Sequence, residues 1–182
     1  MTVDAILEAT RRLLVSDGYQ DITTNHVADL AGVSIGTLYQ YFPSIDSICT
    51  RLYQSHKETL TTALGVALAQ LGPASKEEAP AVLVECFVAT YSAEPAFTAR
   101  LCQVAPDIGA LRKVKESDAE SLELLANYLW SNQIEHPKMK ALALFFAVDQ
   151  VCQEAIARDA HALASEELAA TLRAMVLSIL EG

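Results

Sequence analysis

Ser34, Gly36, Thr37, Tyr39, Gln40 and Tyr41 fall in one short stretch after a glycine turn at Gly32, and Thr24 and Asn25 stand at the start of the helix that leads into that turn. These residue types suit recognition of a polyanion with readable edges. The hydroxyls of Ser34, Thr37 and Tyr39, with the free N–H groups of a helix that opens at Ser34, can hold phosphate oxygens. Asn25 carries a two-pronged amide that matches an adenine edge, and the Thr37 methyl can touch a thymine methyl. Gly36 lets backbone come close to a duplex. A helical corner used only for packing is the alternative, but it leaves Thr37, Tyr39 and Tyr41 on one short helix unexplained.

Bond-making chemistry finds no comparable constellation. No Ser-His-Asp or Cys-His arrangement follows from residue order, so no catalytic residue is assigned and the chain is not expected to be an enzyme. The pairs Glu77-Glu78 and Glu166-Glu167 sit near expected helix starts, where the helix dipole explains them better than acid–base catalysis does. His56, His136 and His161 lack ligand spacing with Cys or acids, so neither a metal nor a cofactor is expected.

Composition bounds what must position these residues. The chain of 182 residues is 52% hydrophobic, with only 7 Gly and 6 Pro. Its mean hydropathy is +0.23. Ala and Leu dominate, which favours an all-α fold with extensive helix–helix burial. No apolar run reaches the ~20 residues that span a bilayer. The N-terminus carries acids and lacks a leader's basic start and cleavage site. Cys49, Cys86, Cys102 and Cys152 lie far apart, the pattern of reduced thiols packed in helices of a cytoplasmic protein. Net charge is −10, mostly beyond residue 57: up to there Arg11, Arg12, Arg51 and Lys57 face six acids, leaving −2. An N-terminal part that is not basic implies weak non-specific attraction to a polyanion and reliance on backbone contacts and dimerisation.

Periodicity and caps predict helices over about 3–16, from Thr23 as cap to the Gly32 turn, and from Ser34 as cap to Phe42. Further helices are expected over about 45–71, 76–92, 95–105, 108–132, 137–159 and 166–180, punctuated by Gly18, Gly72-Pro73, Pro80, Pro95, Pro106, Pro137 and Ser165. Val27, Leu30, Ala31, Leu38 and Phe42 are expected to face inward. With no linker in sight, the boundary between residues 1–45 and 46–182 should run along the long fourth helix.

The run Asp17-Gly18-Tyr19, Thr23-Thr24, Val27-Ala28, Ala31-Gly32-Val33-Ser34, Gly36-Thr37-Leu38-Tyr39 and Tyr41-Phe42-Pro43-Ser44 resembles the DNA-binding domain of the tetracycline-repressor (TetR) family of bacterial regulators. The resemblance covers residues 1–57; the rest is similar only in length, helicity and placement. It implies a helix-turn-helix whose DNA contacts are Thr24, Asn25, Ser34, Ile35, Gly36, Thr37, Tyr39, Gln40, Tyr41 and Ser44. Two departures stand out: Ile35 and Ile45 occupy positions where the family often has Lys. The basic arm often seen before the first helix is also missing here; either the chain starts short or the arm is absent. Ile35 could instead touch a thymine methyl.

The resemblance further implies an effector pocket among the central helices, for which Phe87, Tyr91, Phe97, Tyr128 and Trp130 are candidates. It implies a four-helix bundle formed by the last two helices of each of two subunits, with Phe145, Phe146, Val151, Leu168, Leu172, Met175 and Ile179 at the homodimer interface. The alternative is that both helices cover their own core. The expectation is thus an all-α regulator: an N-terminal three-helix helix-turn-helix domain, then a helical effector-binding and dimerisation domain. It would act as a repressor on a near-palindromic double-stranded DNA operator, responding to an unidentified small molecule. The competing expectation is a helical homodimer that binds a small molecule or protein without sequence-specific DNA binding.

Overall fold

A computed structural model describes residues 2–71, 77–110 and 115–182. Among these, all regular structure is helical: α1 (Thr2–Ser16), α2 (Thr24–Ala31), α3 (Ile35–Tyr41), α4 (Ile45–Leu71), α5 (Ala79–Ser92), α6 (Pro95–Val104), α7 (Lys115–Ser131), α8 (Pro137–Arg158) and α9 (Glu166–Glu181), with short 3₁₀ turns at Tyr19–Asp21 and Ala162–Ala164.

The predicted α4 limits coincide with those observed. The expected Gly72-Pro73 stop and Lys76 start lie outside the described residues. The expected helix start at Ile108 does not form. There Gly109 adopts a left-handed φ of 64°, and the Ala110 N–H donates back to Ala105 O at 3.0 Å. That contact closes the end of α6 rather than opening a new helix.

Two cores form. The N-terminal one gathers Ile6 and Leu14 of α1, Val27 of α2, Leu38 of α3, Ile48, Leu52 and Tyr53 of α4, and Phe97, Leu101 and Val104 of α6. The second gathers Leu60, Leu64 and Leu68 of α4, Phe87 and Tyr91 of α5, Leu129 of α7, Phe145 and Cys152 of α8, and Leu172 and Val176 of α9. α4 therefore belongs to both cores, and the N-terminal core runs past residue 45. The joint is reinforced on α1, where the Arg11 guanidinium pairs with Glu94 and lies 4.3 Å from the Phe97 ring centre. Among the described residues no helix is long and apolar enough to cross a membrane.

Several expected roles change. Phe97 belongs to the N-terminal core, where α6 meets α1, and not to the core that holds Phe87 and Tyr91, because Pro95 opens a separate helix that packs on α1 and α8. Trp130 is 75% exposed and lines an open surface groove with Ile134, Glu135 and Pro137, not an interior pocket. Phe145 and Leu172 are buried in their own protomer's core, leaving no surface for a partner. Leu30 is 50% exposed and not inward-facing; it borders a shallow groove with Ala5, Ala9 and Arg12 of α1. Phe87, Tyr91 and Tyr128 do join one buried cluster. Val151, Leu168, Met175 and Ile179 are half-buried and Phe146 is exposed.

Candidate nucleic-acid interface

Local capping shapes the N-terminal face. The Thr23 hydroxyl accepts from the His26 N–H at 3.2 Å and so caps α2. At the other end Gly32 takes φ 67°, ψ 32°, donating to Ala28 O and Asp29 O, and the Val33 N–H reaches Ala28 O at 3.0 Å. That left-handed turn sets the angle between α2 and α3. A Cβ at Gly32 would meet nothing within 4 Å, so the cost of a side chain there is conformational alone. Gly32→Ala is expected to destabilise the fold by about 1–2 kcal/mol in urea titration; an unchanged midpoint would refute it.

Ser34 caps α3: its Oγ accepts from the Thr37 N–H at 3.0 Å and shares a 2.8 Å bond with the Thr37 hydroxyl. One of the N–H groups expected to be free for phosphate is therefore already satisfied within the chain. Leu38 is fully buried beneath the helix and anchors it, turning Ile35, Gly36, Tyr39, Gln40 and Tyr41 outward. Tyr39 and Tyr41 are 51% and 52% exposed. The Tyr39 and Thr24 hydroxyls share a 3.1 Å hydrogen bond, which joins the first turn of α2 to the middle of α3. After Pro43, Ser44 and Ser47 cap each other reciprocally, N–H to Oγ in both directions at 3.2 and 3.3 Å. The Tyr19 hydroxyl donates to Asp46 Oδ1 at 2.6 Å, tying the loop after α1 to the start of α4.

Thr24, Asn25, Ser34, Ile35, Gly36, Thr37, Tyr39, Gln40, Tyr41 and Ser44 thus all lie on the α2–α3 unit and the turn that follows it. Most are exposed, with Thr24 and Thr37 half-buried. Ile45 differs in kind from Ile35: it packs against the N-terminal core, which gives an apolar residue there a structural reason. Ile35 faces solvent.

Residues 6–52 match the family model for bacterial regulatory proteins of the tetR family. That match covers the helix-turn-helix segment, about a quarter of the chain, and marks it as a TetR-type domain. A nucleoid occlusion factor, SlmA, of Actinobacillus pleuropneumoniae is 44% identical over 57 residues, which is 31% of this chain and 28% of that protein. The chain thus matches less than a third of that relative's length. Among solved structures, the fatty acid degradation regulator FadR of Bacillus halodurans superposes with a TM-score of 0.73 at 20% identity, over 97% of this chain and 94% of that one. The multidrug binding protein EbrR, solved with imidazole, gives 0.75 at 17% identity, over 99% and 95%. At such identities the likeness is one of fold. The helical fold shared with these structures spans the whole chain, beyond the segment that resembles the family in sequence.

A second constellation, behind this TetR domain, has no counterpart in the sequence reading. Lys57 of α4 is buried, 2% exposed. Its Nζ lies 2.8 Å from Asp149 Oδ2 of α8 and 3.2 Å from Asp118 Oδ1 of α7. Asp149 also accepts from the Tyr91 hydroxyl at 2.7 Å and from Gln153 Nε2 at 2.7 Å. The Tyr53 hydroxyl in turn donates to Gln153 Oε1 at 2.9 Å. Alongside, the Thr61 and Ser121 hydroxyls share a 2.8 Å bond between α4 and α7. Burial outweighs the help of Lys57 and raises the Asp118 pKa. His56, edge-on to Tyr91 at 4.7 Å between ring centres, is pushed down to about 4 by burial and then by Lys57, against the pull of Asp149. The thiols of Cys49, Cys102 and Cys152 are pushed up to about 12, chiefly by burial, which makes them packing groups rather than nucleophiles.

Proposed function

We propose that the protein is a DNA-binding transcriptional regulator that acts as a dimeric repressor on a near-palindromic operator and is released by a small molecule. The observation that carries this reading is the preformed outer face of α2 and α3. There, capped helix starts, a left-handed glycine turn and the Thr24–Tyr39 bond hold hydroxyl, amide and backbone groups ready for a duplex. Preordering lowers the entropic cost of docking. Two copies joined through the exposed parts of α8 and α9, including Leu142, Phe146 and Leu177, would present two recognition helices to half-sites about one helical turn apart or more, ~34–36 Å. The effector would act among α4, α5, α7 and α8, near Phe87, Tyr91 and Tyr128. It can shift the equilibrium only by the difference in its affinity for the two states.

The test is anisotropy with DNA from upstream of the protein's own gene, at two salt concentrations, with random DNA as competitor. Sequence-preferring, salt-sensitive binding is expected. Absence of any preference even at low salt would favour a ligand-binding dimer that does not read DNA, a reading motivated by the −2 charge over residues 1–57 and by Ile35 and Ile45. The same assay checks the electrostatics. Ile35→Lys should add one phosphate contact and steepen the slope of log K against log salt by about 0.9; an unchanged slope would place Ile35 away from the backbone. Tyr39→Phe, which removes one hydroxyl from a pair, should weaken operator binding by roughly five- to tenfold while lowering the melting temperature by no more than a few degrees.

A further inference from the structure

We propose that Lys57 is a positioning residue for DNA reading: its buried ammonium, gripped by Asp118 and Asp149, fixes how α4 sits on α7 and α8 and thereby sets the spacing of the two reading heads. This inference rests on the DNA-binding reading above.

The geometry is specific in a way that apolar packing is not. Along α4, Leu60, Leu64 and Leu68 pack into the second core, and such contacts tolerate small slides and tilts. The polar groups do not. The α4 register that brings Lys57 to 2.8 Å from Asp149 and 3.2 Å from Asp118 also brings the Tyr53 hydroxyl to 2.9 Å from Gln153. It brings the Thr61 hydroxyl to 2.8 Å from Ser121 as well. Asp149 is further pinned by Tyr91 of α5, so one carboxylate gathers donors from α4, α5 and its own helix. A shift of about an ångström would strand several of these groups unpaired inside the protein, a penalty that apolar contacts lack.

The same helix enters the N-terminal core through Ile48, Cys49, Leu52 and Tyr53. Tyr53 is therefore both the last head contact on α4 and a member of the clamp. At 1.5 Å per residue, Lys57 lies roughly 18 Å along the axis from the start of α4 at Ile45. A tilt of about 5° about the clamp moves that end by roughly 1.5 Å, and two heads together by roughly 3 Å. That is close to the ~3.4 Å rise of one base pair, enough to change which half-site spacing fits.

The experiment compares wild-type full-length protein with K57M/D118N/D149N, which removes all three charges while keeping similar shapes. The probes are operators selected by the wild type from random DNA, remade with half-site spacing changed by one or two base pairs. Melting temperature is measured alongside. The expected result is a folded variant whose preferred spacing moves or broadens, with at least a tenfold loss on the wild-type operator. An equally folded variant with wild-type affinity and spacing preference would overturn the proposal. D118N is the second variant, because it leaves the Lys57–Asp149 pair in place. It should relax the spacing preference several-fold, and if the triple variant fails to fold, a D118N protein identical to wild type in spacing overturns the proposal. Failure of the wild type to select any sequence would instead remove the DNA-binding reading itself, and this inference with it.

Discussion

Lys57→Met made alone should destabilise the protein by about 3–5 kcal/mol, among the largest single-residue losses in the chain. The reason lies in what remains. Asp149, whose side chain is 3% exposed, loses its ion-pair partner and keeps the neutral donors Tyr91 and Gln153. Asp118, already raised in pKa by burial and lowered chiefly by Lys57, loses its compensation too. A buried carboxylate without a cation must stay charged at high cost or take up a proton. Neutralising all three members together removes the stranded charge. K57M/D118N/D149N should therefore be markedly more stable than K57M, despite carrying two more substitutions. Urea titration at neutral pH measures both, and a K57M midpoint equal to wild type would mean that the pair contributes nothing net. The contrast separates the cost of a broken pair from the worth of an intact one, which the general experience with buried ion pairs keeps distinct.

The helical frame was readable because caps and periodicity act locally. Thr23, Ser34 and Ser165 each accept the N–H expected of a capping residue, and the α4 limits follow from Pro43-Ser44 on one side and an unbroken apolar stripe after it. Misreadings arose where tertiary context decides. Leu30 is apolar and in phase with Val27, yet α1 leaves its outer side uncovered. Ile108 continued an apolar pattern, yet Gly109 had the left-handed conformation needed to close α6. Phe145 and Leu172 looked surplus because the chain's own core is larger than a single-layer count suggests: α5, α8 and α9 all converge on it. The buried ion cluster escaped notice although its signal is present. Lys57 falls in phase with Tyr53, Leu60 and Leu64 on the buried stripe of α4, and Asp149 with Phe145, Cys152 and Ile156 on that of α8. A charged residue in phase with core positions is the pattern to look for. Its partner cannot be read from the same helix, because Lys57 and Asp149 are 92 residues apart.

Acid should destabilise the protein through His56 in a window that its pKa defines. In the folded state this imidazole is held down to about 4, against an ordinary value of 6.5. The groups facing it are Tyr91, at ring contact, Lys57, which repels a second positive charge, and Asp149, which only partly offsets that repulsion. Because the folded pKa lies below the unfolded one, the unfolded chain binds the proton more readily. The contribution is nil at neutral pH, grows unfavourable as pH falls through 6.5, and levels off below about 4 at a loss of roughly 3 kcal/mol. Between pH 7 and pH 4.5 the share is roughly 2 kcal/mol. Asp118 works in the opposite sense: its raised pKa favours the folded state as it protonates, so the net slope understates the histidine. Comparing wild type with His56→Gln isolates it, since glutamine keeps a polar side chain of similar reach but does not titrate. The His56→Gln variant should lose about 2 kcal/mol less than wild type between pH 7 and pH 4.5 in urea titration. Parallel pH profiles for the two proteins would show that His56 is hydrated in the folded state, and that the contact between α4 and α5 at Tyr91 is looser than its 4.7 Å ring separation indicates.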